Sequence, residues 1–204
     1  MKKVVLLGDS IRLIGYGSAV EAALSREFEV WQPSENCRYA KHTLRMLFDN
    51  AKNINGADIV HWNCGLWDTC DLFGDGAFTP KNVYVEECLR VAKLLLERCR
   101  TVIFATTTPA GDGNKFFSNE RIREYNAAVI PELVKLGVVI NDLYTPISED
   151  IDSFISKEDR VHLTQKGSAA AAKVVENAIR DAANASPCRD VKEYSEVSEL
   201  GAPV

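Results

Sequence analysis

The chain has 204 residues, 46% of them apolar and 26% charged, a balance that excludes a disordered or fibrous protein. Its net charge of −5 is the wrong sign for neutralising nucleic-acid phosphates. No apolar run approaches the ~20 residues of a membrane span. The apolar start Val4–Leu7 is cut by Gly8-Asp9-Ser10, well short of a signal-peptide core, so a cytoplasmic protein with no membrane partner is expected.

In chain order, Lys3 to Gly8 is a continuous apolar run ending in glycine, which predicts a buried strand. Leu13 to Phe28 carries Leu13, Val20, Ala23, Leu24 and Phe28 at helical spacing. Glu29–Gln32 predicts a short strand closed by Pro33. Thr43–Ala51 predicts a helix with Leu44, Leu47 and Phe48 on one face, and Ala57–Trp62 a buried strand. Gly65, Gly74, Gly76 and Pro80 predict a long loop over 64–80. A helix over Val83–Cys99 and a β-branched strand over Thr101–Ala105 come next, then a loop over 108–118. Asn119–Leu136 reads as helix despite Pro131, Val138–Ile140 as strand, and 145–160 as irregular. Thr164 is a suitable N-cap for a last helix running to Ala183. Residues 185–204 are polar and unpatterned, which predicts a tail or a strap over the surface.

Strand–helix alternation repeated about five times predicts a mostly parallel sheet with helices on both faces, in one domain over 1–184. In such a sheet the ligand site lies beyond the carboxyl ends of the strands. Gly8-Asp9-Ser10, Trp62-Asn63-Cys64 and Thr106-Thr107-Thr108-Pro109 should converge there.

The six cysteines are scattered singly, with no C-x-x-C pair. A zinc site would need a second ligand pair beside His61 and Cys64, and none exists, so free thiols are expected.

Ser10 stands at a strand–helix junction, where a hydroxyl can attack a carbonyl and nearby N–H groups can bind the resulting oxyanion. A serine needs a base to take its proton. The histidines are His42, His61 and His162. In Asp159-Arg160-Val161-His162 the acid precedes the imidazole by three residues, close enough to hold Nδ1–H and leave Nε2 free to accept the serine proton. Asp9 is read as an acceptor for loop N–H groups, and His42 and His61 as structural.

Gly8-Asp9-Ser10-Ile11 resembles the first block of the SGNH (GDSL-type) hydrolases, with Ile11 where leucine is usual. Asp159-x-x-His162-Leu163-Thr164-x-x-Gly167 resembles their last block. Asn63 stands where the third block puts an oxyanion-hole asparagine, and Thr107-Thr108-Pro109, Tyr125-Asn126 and Asp142 echo the same layout. The likeness spans about residues 1–180. It implies a three-layer α/β/α sandwich with a five-stranded, mostly parallel, flavodoxin-like sheet. It implies a carboxylic ester hydrolase with Ser10 as nucleophile, His162 as base and Asp159 as its orienting acid. Ser10 N–H, Arg38 N–H and the Asn63 amide would form the oxyanion hole. Neither metal nor organic cofactor is called for.

Two positions depart from the pattern: Arg38 replaces the second-block glycine, and His61 stands where the third block has glycine. The Gly-x-Ser-x-Gly elbow of the other large hydrolase class is absent around Ser10. Arg12 either binds a substrate carboxylate or pairs with a neighbouring acid. Trp62 and Trp67 are either core residues or an apolar, sugar-stacking wall.

The expected activity is hydrolysis of short acyl esters, with O-acetyl groups on a carbohydrate as the preferred small-molecule substrate. A thioesterase or lipase-like hydrolase is the enzyme alternative, although the loops at 64–80 and 108–118 advertise no wide apolar groove. A non-catalytic carbohydrate-binding module on the same fold is the alternative from another class. Nucleotide binding through Gly15-Tyr16-Gly17 lacks its third glycine.

Overall fold

Five apolar, largely β-branched runs pair side by side as β1 (Lys2–Leu7), β2 (Phe28–Trp31), β3 (Ile59–Asn63), β4 (Thr101–Ala105) and β5 (Val139–Asn141), in the order β2-β1-β3-β4-β5. The structure is a computed structural model that describes residues 1–185. Every pairing is parallel, and the register sets Leu7 opposite Trp62, and Trp62 opposite Phe104. Parallel strands need crossovers, and the crossover helices cover both faces of the sheet.

Because side chains alternate along a strand, each central strand feeds two cores. Val5, Leu7, Val60, Trp62, Val102 and Phe104 point to one side, and Val4, Leu6, Ile59, Ile103 and Ala105 to the other. The first core is closed by α2 (Ala40–Asp49), α3 (Ala51–Ile54), α5 (Lys81–Leu96) and α6 (Asn119–Lys135). The second is closed by α1 (Gly17–Leu24), α7 (Tyr144–Ser148), α8 (Ile151–Phe154) and α9 (Gln165–Asn184). A four-residue helix, α4 (Leu66–Thr69), lies inside the predicted 64–80 loop. The result is the three-layer α/β/α sandwich expected from the alternation.

Three local differences have physical causes. The predicted 13–28 helix begins as a π-helical turn over Ile11–Tyr16, in which Gly17 N–H bonds Arg12 O, five residues back, before α1 takes over. A Cβ on Gly17 would lie 2.6 Å from that carbonyl and 2.4 Å from Gln32 Oε1, so the widened turn depends on glycine. Helix α2 starts at Ala40 rather than Thr43, its inward face carries Ala40, Thr43, Met46 and Leu47, and Phe48 is 47% exposed. The irregular 145–160 stretch holds α7 and α8, each too short to show a period. Thr164 caps α9 by accepting from Gly167 N–H at 3.0 Å.

Among the described residues no helix is long and apolar enough to cross a membrane. The tail or strap expected at 185–204 lies, beyond Ala185, outside the described residues, as does Cys188.

Candidate active site

Ser10 leaves β1 at the sheet's carboxyl edge and opens the π-helical turn. His162 reaches it from the loop between α8 and α9, with Nε2 2.9 Å from Ser10 Oγ. That loop is self-locked. Asp159 Oδ1 accepts the Val161 and His162 N–H groups, both at 2.9 Å, while Oδ2 meets His162 Nδ1 at 2.7 Å. An Asp side chain bonding backbone two and three residues on is a favoured local turn, so the Asp-x-x-His spacing itself builds the contact. Arg160 sits in the left-handed region at φ +59, its N–H donating to Ser156 O at 2.9 Å. Asn114 Nδ2 holds the loop from outside by donating to Asp159 O at 3.0 Å.

Burial works against charge on Asp159, but donors from the His162 side chain and from the His162 and Val161 backbone outweigh it and hold its pKa below the usual value. An ionised Asp159 fixes the hydrogen on Nδ1, which leaves Nε2 to accept from the Ser10 hydroxyl.

Asn63 ends β3 beside this pair, and its carboxamide is bonded at both ends. Oδ1 accepts from Tyr16 Oη at 2.7 Å, and Nδ2 donates to Asp9 Oδ1 at 2.8 Å. Asp9 Oδ1 also accepts from Ile11 N–H at 2.9 Å. Burial raises Asp9 to about 6, against the pull of Ile11 N–H, Asn63, Arg12 and His162. Glycine at position 8 is required for this approach, since a Cβ there would lie 2.0 Å from Asn63 Oδ1.

Arg38 occupies φ +53, the region that favours the glycine it replaces. Its N–H donates to Asn36 Oδ1 at 2.7 Å, so this expected oxyanion donor already has an acceptor within its own turn. The turn is pinned beside the serine, with Cys37 N–H donating to Gly8 O at 3.0 Å.

Two candidate binding residues are buried in the structure. Arg12 is fully buried, and among the described residues it forms no ion pair with an acid. Its guanidinium donates to Pro33 O (2.7 Å), Glu35 O (2.6 Å), Gly8 O (3.2 Å) and Gln32 Oε1 (3.3 Å), bracing the segment after β2. Trp62 is also fully buried, packed at 4.9 Å on Phe104, because its strand position points it into the core rather than to the edge. Trp67, on α4, remains 38% exposed.

The three predicted segments do meet. Thr107 Oγ1 donates to Cys64 O at 2.9 Å, and Asn126 clasps Thr107 N–H and O, each at 3.0 Å. His61 is buried behind the site, 3.0 Å from Asn141 Nδ2, and burial lowers it to about 3. Tyr16 is the site residue that sequence reasoning missed. A set of exposed apolar side chains on the loops after β3 and β4, including Phe73 (82%) and Phe116 (48%), was also unforeseen.

The chain shares its fold with solved esterases and with a member of the lipolytic G-D-S-L family. Three solved structures show the likeness. The acetyl xylan esterase AlAXEase is 20% identical with TM-score 0.72, covering 87% of this chain and 99% of its own. The lipase/acylhydrolase from Enterococcus faecalis is 19% identical with TM-score 0.72, covering 93% and 100%. A catalytic mutant of Axe2, an acetylxylan esterase from Geobacillus stearothermophilus, is 14% identical with TM-score 0.71, covering 87% and 94%. Likeness at such identity establishes the shared fold. No protein-family model and no curated protein matches the sequence.

Proposed function

We propose that this protein is a serine ester hydrolase that removes short acyl groups, with O-acetyl groups on a carbohydrate as its first substrate class. The supporting observation is the unbroken line from Asp159 through His162 to Ser10, at 2.7 and 2.9 Å. Axe2 was also solved as catalytic mutants in which a serine, a histidine or an aspartate is replaced by alanine. In that esterase the aspartate precedes the histidine by three positions, the spacing of Asp159 and His162.

Ser10 Oγ attacks the ester carbonyl carbon as His162 Nε2 takes its proton. Asp159 stabilises the imidazolium. The carbonyl oxygen becomes an oxyanion, held by Ser10 N–H and the second hydrogen of Asn63 Nδ2. Arg38 N–H joins only by giving up Asn36. The C–O bond to the alcohol breaks, the alcohol leaves with the proton from His162, and Ser10 carries the acyl group. Water, deprotonated by His162, then attacks the acyl carbon, releasing the carboxylic acid and restoring Ser10.

A second reading, a lipolytic acyl hydrolase, is favoured by the exposed Leu72, Phe73 and Phe116 and by the likeness to the E. faecalis lipase/acylhydrolase. A pure binding module has no use for an imidazole aligned between an acid and a hydroxyl.

The test is a series of p-nitrophenyl esters from acetate upward, with O-acetylated xylo-oligosaccharide alongside and Ser10→Ala as control. Turnover that falls with chain length and vanishes in the variant supports the first reading. Preference for long chains shifts the assignment to the second. Equal turnover by the variant refutes both.

A further inference from the structure

An asparagine that donates to an oxyanion has to present its amide end, because the carbonyl end repels the developing charge. Asp9 selects which end of Asn63 faces it, since a carboxylate accepts from Nδ2 and repels Oδ1. One hydrogen bond still lets the carboxamide swing about its terminal torsion, which is soft. A second tether on the opposite atom removes that freedom, and here it is the Tyr16 hydroxyl, donating to Oδ1 at 2.7 Å.

Tyr16 is built to hold that position. It is fully buried, and burial pushes its phenol well above the ordinary range, so the donor hydrogen persists at any working pH. The π-helical turn that Gly17 permits carries its ring inward. The ring then stands edge-on to His61, with centroids 5.8 Å apart and planes at 89°. His61 is fixed in turn by Asn141 at 3.0 Å. The histidine that departs from the family pattern thus backs the tyrosine.

We propose that Tyr16 is a positioning residue for the reaction, locking the Asn63 carboxamide with its free amide hydrogen toward Ser10, with His61 and Asn141 as the buttress behind the ring. This rests on the ester-hydrolase reading, because Asn63 has a transition state to serve only if Ser10 is a nucleophile.

The experiment is a double-mutant cycle on p-nitrophenyl acetate with Tyr16→Phe, Asn63→Ala and their combination, read as kcat and KM separately. Asn63→Ala should lose about 10²–10³ in kcat, the usual effect of removing one oxyanion donor. Tyr16→Phe keeps the ring on His61 and should lose about tenfold or more in kcat with KM unchanged, since the lost bond acts through a donor that works in the transition state. The combined variant should be no slower than Asn63→Ala, because the tether has nothing left to hold. A merely structural hydroxyl would lower thermal stability and leave the two losses multiplying. Multiplying losses, a Tyr16→Phe enzyme with wild-type kcat, or an Asn63→Ala enzyme with wild-type kcat would each overturn the inference. Ser10-dependent turnover by the wild-type chain would leave the hydrolase reading standing in all three cases. Wild-type turnover no greater than that of Ser10→Ala would remove both.

Discussion

His162 meets Ser10 at 2.9 Å across 152 residues of chain. The contact needs no long-range design beyond the fold. A parallel sheet brings the carboxyl ends of its strands to one edge, and the turn before α9 opens onto that edge. If the contact is functional, Ser10 should react with a fluorophosphonate while Ser10→Ala does not, with mass spectrometry placing the label. His162→Ala should lower kcat about 10⁴-fold or more, since triad members act as a unit. Labelling at another serine, or wild-type turnover by His162→Ala, would end the assignment.

The same contact sets a pH dependence of rate. A base that must accept a proton is disabled once it carries one, so kcat/KM should fall on the acid side as His162 protonates. Asp159, held below its ordinary value, stays ionised across that limb and should add no second break. A kcat/KM with no fall on the acid side would count against His162 as base.

Stability should follow a different curve. Burial raises both Asp9 and Asp68 from 3.8 to about 6. Their folded-state affinity for protons exceeds that of the unfolded chain, so their contribution to stability is complete below about pH 4. It is lost as pH climbs through about 6. Each carboxyl, ionised at pH 7, costs about 3 kcal/mol by this measure. Asp68 is the cleaner test, because it accepts Ala40 N–H (3.0 Å) rather than a group of the site. Asp68→Asn should flatten the fall in melting temperature between pH 4 and 7, whereas a wild-type midpoint that rises steadily over that interval would refute the sign.

Trp67 and Phe116 offer an apolar surface on the loops after β3 and β4. Asn114 ties Phe116 to the Asp159–His162 loop, accepting Phe116 N–H at 2.8 Å on Oδ1 while its Nδ2 bonds Asp159 O. An aromatic contact of about 0.5–1.5 kcal/mol is worth roughly a two- to tenfold change in binding. Trp67→Ala should therefore raise KM for an O-acetylated oligosaccharide by about that factor and leave p-nitrophenyl acetate unchanged. Equal effects on both substrates would place Trp67 in the scaffold.

The sheet was legible because runs such as Val4–Leu7 and Val102–Ala105 are apolar without interruption, as strands covered on both faces are. The Asp159–His162 turn was legible for a different reason, that its geometry is local. What stayed hidden was long-range or irregular. Tyr16 looked like the centre of a weak glycine motif, because the π-helical turn that aims it leaves no periodic trace. The fate of Trp62 was a question of which face its strand position takes, which the expected strand over Ala57–Trp62 did not answer. The burial of Arg12 was not legible because arginine is rarely fully buried, and its acceptors are backbone carbonyls of a loop that sequence does not bring near.

That burial of Arg12 leads to the last prediction. Its fork satisfies Pro33 O, Glu35 O and Gly8 O together, and Gly8 is the residue that lets Asn63 approach the serine turn. Arg12→Leu would take this donor from Pro33 O and Glu35 O, while Gly8 O keeps Cys37 N–H, at about 1–3 kcal/mol for each carbonyl that stays buried and unpaired. Arg12→Lys supplies one flexible ammonium in place of a rigid fork and should recover part of the loss. Both variants should melt earlier in the order Arg12→Leu, then Arg12→Lys, then wild type. KM of the protein that remains folded should stay close to wild type, because the guanidinium is buried on backbone carbonyls. A large rise in KM for anionic esters at unchanged stability would restore Arg12 as a binding residue and contradict its place as a brace.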